Sequence, residues 1–367
     1  MPRVAGTLPP GAPSTRRNAL SPRRILNYTS FRVQVSLLKL GNCSMSGVQA
    51  GTHIRRACES DLEIAEMGER KVVVGLPVYN GQKYVGAAIE SHLAQSFSDF
   101  DLVISDNGST DATPEICTRY ASKDPRVKYL RSPENRGILW NHRRVMDEIG
   151  IATQYFRWAG ADDVLEPGLL QTMIDVLDAR PEVVAVMPDT KNIDDRGEVI
   201  GAMARSLDFQ SADVVQRAHE ILAAEYQHVI AYGLIRVSTL RLMKTGPDYF
   251  GWDPIFAWEL ALRGQMVQTE GPALLRRFHA GSISHVKTSK ELRKWVEPNA
   301  KVGMSFPHWN WAYERARTLF TSPMSIHDRL RIGRLLLRDA RWQRTRLLRD
   351  VVQAVRRTLG LSDEYTF

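Results

Sequence analysis

From Lys71 onward, short β-branched runs alternate with stretches of helical spacing, and few architectures accept that text. "KVVVGLPVYN" (71–80) reads as a buried strand running into a turn. Val85, Ala88, Ile89, His92 and Leu93 then recur at helical spacing across 83–96. "FDLVISDNGSTD" (100–111) reads as a second strand with a polar loop. There Ser109, Thr110 or Asp111 can cap a helix with Pro114 and Glu115 in its first turn. A third strand is expected over 126–132, a helix over 138–149, and a fourth strand in "TQYFRWAGADD" (153–163). A helix after Pro167 and a fifth strand over 182–188 complete the alternation. Such a text predicts an α/β fold, a mostly parallel sheet flanked by helices.

Ligands of parallel sheets bind at the carboxyl ends of the strands. Polar clusters fall there three times: Tyr79-Asn80, Asp106-Asn107-Gly108-Ser109 and Asp162-Asp163. Each alone is compatible with turn chemistry, and the last pair with a helix cap near Pro167. Their common edge points to a site. No G-x-G-x-x-G follows the first strand and no G-x-x-x-x-G-K-[ST] occurs, which argues against the dinucleotide and Walker-type phosphate loops. A nucleotide can be held otherwise. Asp106 can accept from a base N–H, and the main chain at Pro77–Asn80 can bracket base and ribose. Asp162 and Asp163 can hold Mg²⁺ or Mn²⁺ against a diphosphate, since hard cations take carboxylates plus substrate phosphates.

The chain has 367 residues, 43% hydrophobic and 25% charged, enough for a sizeable core. Its net charge of +8 is uneven: no acid precedes Glu59, and the text after Ser325 is arginine-rich. Basic ends suit anionic partners. Carboxylates gathered on a sheet edge would repel nucleic-acid phosphates, so no nucleic-acid partner is expected. Cys43, Cys58 and Cys117 show no disulfide or metal spacing, which fits a reducing compartment or simply no structural use of cysteine. Residues 1–68 read as a disordered basic extension, with Met45 or Met67 as an alternative start and an organelle transit peptide as the competing reading. The α/β domain is placed at 69–290 and an arginine-rich helical segment at 291–367. Within 326–359, Ile326, Leu330, Leu337, Ala340, Leu347, Val351, Val355 and Leu359 fall near one helical stripe. That stripe fits an anionic membrane surface, or helices packed on the domain.

In this order the clusters resemble the family 2 glycosyltransferases over about residues 70–285. "GLPVYNG" is similar to the family's opening strand and turn, and "ISDNGSTDAT" to its second motif. "ENRGILWNHRR" (134–144) resembles its Asn-x-Gly followed by a later Asn. "GADDVLEP" resembles its Asp-x-Asp, with Gly160 in place of the first acid. The resemblance implies a GT-A fold and inverting transfer of a sugar from a nucleotide-diphosphate donor, a UDP-sugar. The acceptor would be a glycan or lipid-linked hydroxyl. It further implies donor binding by Pro77, Tyr79, Asn80, Asp106, Ser109, Arg136, Asn141, Asp162 and Arg277. Divalent metal would sit at Asp162, Asp163 and His279, with His285 a weaker candidate. Asp253, ahead of "PIFAWELALRG", is the implied base, with Glu259 in reserve; Trp252 and Trp258 are candidates to stack on a sugar. Trp309, Trp311 and Phe306 are candidates for an acceptor wall or for core. A cytoplasmic protein, peripheral on the inner face of the membrane and serving cell-envelope polysaccharide synthesis, fits these expectations. Two other readings compete: a sugar nucleotidyltransferase, disfavoured by the lack of a glycine-rich turn after the first strand, and a non-catalytic partner in a membrane-associated glycan-synthesis complex.

Overall fold

The structure is a computed structural model and describes residues 70–203, 208–224, 230–249, 251–281 and 307–359. The extension at 1–68, Phe306 and His285 lie outside the described residues.

The alternation folds as expected. Strands β1 (Val72–Val78), β2 (Phe100–Asp106), β3 (Val127–Arg131) and β4 (Tyr155–Trp158) pair in parallel in the order β3-β2-β1-β4. Helices α1 (Val85–Leu93), α2 (Thr113–Ala121) and α3 (Ile138–Met146) make the crossovers. The sheet then continues in an order the local pattern does not reveal. Short β5 (Val164–Leu165) and α4 (Leu169–Ala179) lead to β6 (Val183–Ile193), which outruns the expected end at Pro188 by shifting register. Hairpin partner β7 (Val199–Ala202) and α5 (Val214–Ala223) follow. Beyond them lie β8 (Leu234–Arg236), short α6 (Val237–Leu240), α7 (Asp253–Arg263) and β9 (Gln265–Arg277). β8 enters antiparallel between β4 and β6, and β9 runs parallel to β6. Two antiparallel steps restore direction, so β6 and β9 end on the same edge as β1, β2 and β4.

The sheet is apolar on both faces, with Val72, Val74 and Leu76 in one core cluster and Val73, Phe156 and Trp158 in the other. Such two-sided burial is what a helix-covered sheet requires. Gly75 sets one approach: a Cβ there would stand 2.6 Å from Val145 Cβ, so a side chain would push α3 off the sheet. Helices α8 (Pro307–Thr321), α9 (Ile326–Trp342) and α10 (Arg344–Thr358) form the carboxyl-terminal part. Trp258 Nε1 donates to Thr318 Oγ1 (2.8 Å) and fastens α8 to α7.

Candidate active site

The amino-terminal half of the site is a closed hydrogen-bond net. Asn80 adopts φ 51°, a left-handed conformation that asparagine tolerates. Its N–H donates to Ser109 Oγ (2.9 Å), and its Oδ1 accepts from Thr110 N (2.9 Å). Ser109 N–H in turn donates to Asp106 Oδ1 (2.8 Å), and Tyr129 OH donates to Asp106 Oδ2 (2.6 Å). Asp106 has no exposed surface. The expectation that it meets a base N–H is corrected on that ground: both oxygens hold the loop. Asn141 is also buried. Its Oδ1 accepts from Ser105 Oγ (2.6 Å), while its Nδ2 donates to Ser105 O (2.9 Å) and Val78 O (3.2 Å). It ties the ends of β1 and β2 together and offers a donor nothing. What this half leaves open is the half-buried Pro77 with exposed Tyr79 and Asn80. Arg136 is exposed on the loop after β3, its guanidinium 4.4 Å from the Trp140 ring centre.

The second half gathers at the ends of β4, β6 and β9. His279 Nε2 lies 3.0 Å from Asp162 Oδ2, joining residues 117 apart in sequence. Asp163 turns inward instead. Its Oδ1 accepts from Arg277 N (2.9 Å), and its Oδ2 is buried without a partner. Burial, then the charge of Asp162, pushes its pKa well above the usual carboxylate range. So placed, Asp163 is turned away from the Asp162–His279 pair and is 3% exposed. Of the three residues expected from sequence, the structure brings Asp162 and His279 side by side and turns Asp163 inward. Those two offer an oxygen and a nitrogen side by side, which fits a cation that takes its other ligands from a diphosphate. Gly160 has a physical reason as well: a Cβ there would come within 2.9 Å of Asp163 Cγ, so the inward carboxylate fills the space of the missing acid.

Arg277 is a fastener. Its Nε donates to Asp162 O (3.0 Å) and its Nη1 to Asp194 O (2.9 Å), and its guanidinium lies 4.9 Å from the Tyr84 ring centre. Tyr84 also packs on His279, with centroids 4.7 Å apart, and both Tyr84 and Lys83 bond to Asp195. Sequence reasoning missed Lys83, Tyr84 and Asp195. The signal was present in "NIDDRG" (192–197), a second pair of acids at a strand end, but β6 was expected to stop short of it.

Beneath the carboxylates lies Arg157, fully buried on β4 with none of its three nitrogens hydrogen-bonded. Burial lowers its pKa to about 10, against the pull of Asp163. His92 Nε2 is likewise unpartnered, and burial followed by the Arg157 charge pushes that histidine down to about 3.

On the far side, Asp253 stands in the first turn of α7. Trp252 packs on Trp158, ring centres 5.2 Å apart, which brings that turn to the β4 end of the cleft. Trp252 and Trp258 are 7% and 1% exposed, so both belong to the core and neither presents a face to a sugar. Trp311 Nε1 donates to Gly251 O (2.8 Å), just ahead of Trp252, while Trp309 is largely exposed. Glu259 is fully buried, accepting from Lys244 N, Thr245 N and Arg263. It is a structural anchor, and the reserve assignment as base is corrected.

Residues 73–220 match the family model described as Glycosyl transferase family 2. The chain is 32% identical over 130 residues to a chondroitin synthase of Escherichia coli, covering 35% of this chain and 18% of that one. It is 22% identical over 221 residues to the putative glycosyltransferase EpsH of Bacillus subtilis, covering 58% of this chain and 57% of that one. In both cases the matched stretch spans less than two thirds of the relative. Among solved structures, TarS 1–349 of S. aureus in complex with UDP-GlcNAc aligns with a TM-score of 0.56 at 13% identity, over 78% of this chain and 81% of that one. The likeness extends the GT-A-like fold well past the family match. By its motifs, its sheet and these relatives, the chain carries over residues 73–220 a region that matches the family 2 glycosyltransferases.

Proposed function

We propose that the protein transfers a sugar, with inversion, from a uridine-diphosphate donor to a hydroxyl of a glycan or lipid-linked acceptor. The observation that carries the reading is the Asp162–His279 pair, 3.0 Å apart, on the sheet edge beside the open Pro77–Asn80 turn. The nucleoside lies against Pro77, Tyr79 and Asn80, and Arg136 flanks the diphosphate. Asp162 and His279 hold Mg²⁺ or Mn²⁺, which when bound neutralises charge on the departing diphosphate. Asp253 takes the acceptor proton, the acceptor oxygen attacks the anomeric carbon, and the diphosphate leaves with the bonding electrons. UDP-GlcNAc in the TarS complex supports the choice of donor class. No helix among the described residues is long and apolar enough to cross a membrane. On this reading the protein is peripheral at the cytoplasmic face of the membrane and meets an anionic surface through residues 326–359.

Thermal shift of the full chain with nucleoside diphosphates, with and without Mn²⁺, tests this reading. UDP with Mn²⁺ is expected to raise the melting temperature, because a ligand that binds only the folded state stabilises it. Asp162→Ala should abolish the shift. Asp253→Asn should keep the shift yet consume the UDP-sugar about 10³-fold more slowly. No shift with any nucleotide overturns the donor site and favours the non-catalytic partner, for which the absent acid at Gly160 is the supporting observation.

A further inference from the structure

The carboxyl-terminal helices carry more charge and apolar surface than their packing uses. α9 and α10 are separated by Gln343 alone and rest on α8 with the same side. Arg315 pairs with Asp339 (3.1 Å), His308 N donates to Asp350 Oδ2 (2.8 Å), and Trp309 Nε1 donates to Leu347 O (3.0 Å). The other side is bare. Leu330 and Leu337 of α9, and Leu348, Val352 and Val355 of α10, are each more than half exposed, and at about 3.6 residues per turn each set falls within a sector of roughly 60° on its helix. Exposed singly, such residues mean little, but a continuous stripe along two helices marks an interaction face.

The charges beside the stripe choose the partner. Residues 326–359 hold ten arginines and three acids. Each acid is already engaged: Asp328 with Arg331, Asp339 with Arg315, Asp350 with His308. Where α9 meets α10, Arg338, Arg341 and Arg344 line a surface pocket of about 470 Å³ together with Trp342, which is 81% exposed. None of these arginines forms an ion pair among the described residues. Guanidinium groups match phosphate oxygens two at a time, and tryptophan favours the polar boundary of a bilayer. Self-association through this face would bring like-charged arginines together. An anionic bilayer meets both demands, taking the apolar stripe among acyl chains and the arginines at its headgroups.

We propose that α9 and α10 form a membrane-interface element, and that the pocket of Arg338, Arg341, Arg344 and Trp342 binds the phosphate of an anionic lipid headgroup. The inference rests on the membrane reading above and assigns it a site. Its consequence for the reaction is a chain held at the surface where a lipid-linked acceptor resides.

Removing the helices is a poor test, because Ile332 of α9 belongs to the core cluster. Flotation of the full chain with phosphatidylglycerol–phosphatidylcholine vesicles, against phosphatidylcholine alone, is the direct one. The wild type should float with the anionic vesicles only. Arg338→Gln/Arg341→Gln/Arg344→Gln should bind about a hundredfold more weakly with an unchanged melting temperature. Leu348→Ser/Val352→Ser/Val355→Ser should weaken binding at least about tenfold. A wild type that stays with neither vesicle overturns the membrane reading and this site together. If the wild type floats and the arginine variant floats equally well, the membrane reading stands and the pocket is overturned. A serine variant that floats normally but turns a dimer into a monomer in light scattering overturns the inference in favour of a second copy of the chain.

Discussion

The two halves of the cleft are built by opposite rules. At the ends of β1 and β2, each polar side chain that is buried finds its partner: Asp106 holds Ser109 and Tyr129, and Asn141 bridges Ser105 and Val78. At the ends of β4 and β9, Asp163 Oδ2 and all three nitrogens of Arg157 have none. Buried polar groups are normally paired, and exceptions call for a reason. The first half is a finished frame that places Tyr79 and Asn80. The second leaves charges unpaired beneath Asp162 and His279, where the proposed function would add a cation and a diphosphate.

The comparison can be broken at the frame first. Asn141→Ala removes three hydrogen bonds that tie the ends of β1 and β2 to α3, while Val78 O keeps Asn107 N. It should lower unfolding free energy by about 3 kcal/mol in urea titrations. A loss near zero would mean the frame is not the rigid half. Next, Gly160→Asp restores the family's first acid against the Asp163 carboxyl. In metal-free buffer it should destabilise by about 2 kcal/mol, through overpacking and repulsion. Mn²⁺ should recover part of that in calorimetry. Equal stability with and without metal would show that the second half does not await a cation.

The smallest effect concerns pH. His92 is pushed down to about 3 by burial and by Arg157, so it stays neutral in the fold while the unfolded chain protonates it near its ordinary value of about 6.5. The unfolded state therefore binds more protons between those values. Stability is full above about pH 6.5 and is lost as pH falls toward 3. His92→Leu should flatten that acid limb by about 1 to 2 kcal/mol between roughly pH 7 and pH 5. An unchanged limb would remove His92 from the strained half.

Much of this was legible before any coordinates. The β1–α1–β2–α2–β3–α3–β4 alternation and the polar clusters at strand ends follow from runs of ten or so residues. Hydrophobic period and turn chemistry are local properties of the chain, so a single sequence carries them. The direction in which each polar side chain points is not local. Asp106 ends β2 and Asp162 follows β4, yet Tyr129 and Ser109 lock the first away from solvent while the second stays half-buried beside His279. Asp163 faces inward because Arg277 N, 114 residues onward, reaches its Oδ1. Glu259 is removed from the chemistry by Lys244, Thr245 and Arg263, which converge on it only after folding. Sequence alone determined the layered sheet and the edge on which the site would lie. Tertiary structure decided which carboxylates serve the fold and which face the cleft, because burial and hydrogen-bond partners come from distant segments that no local pattern specifies.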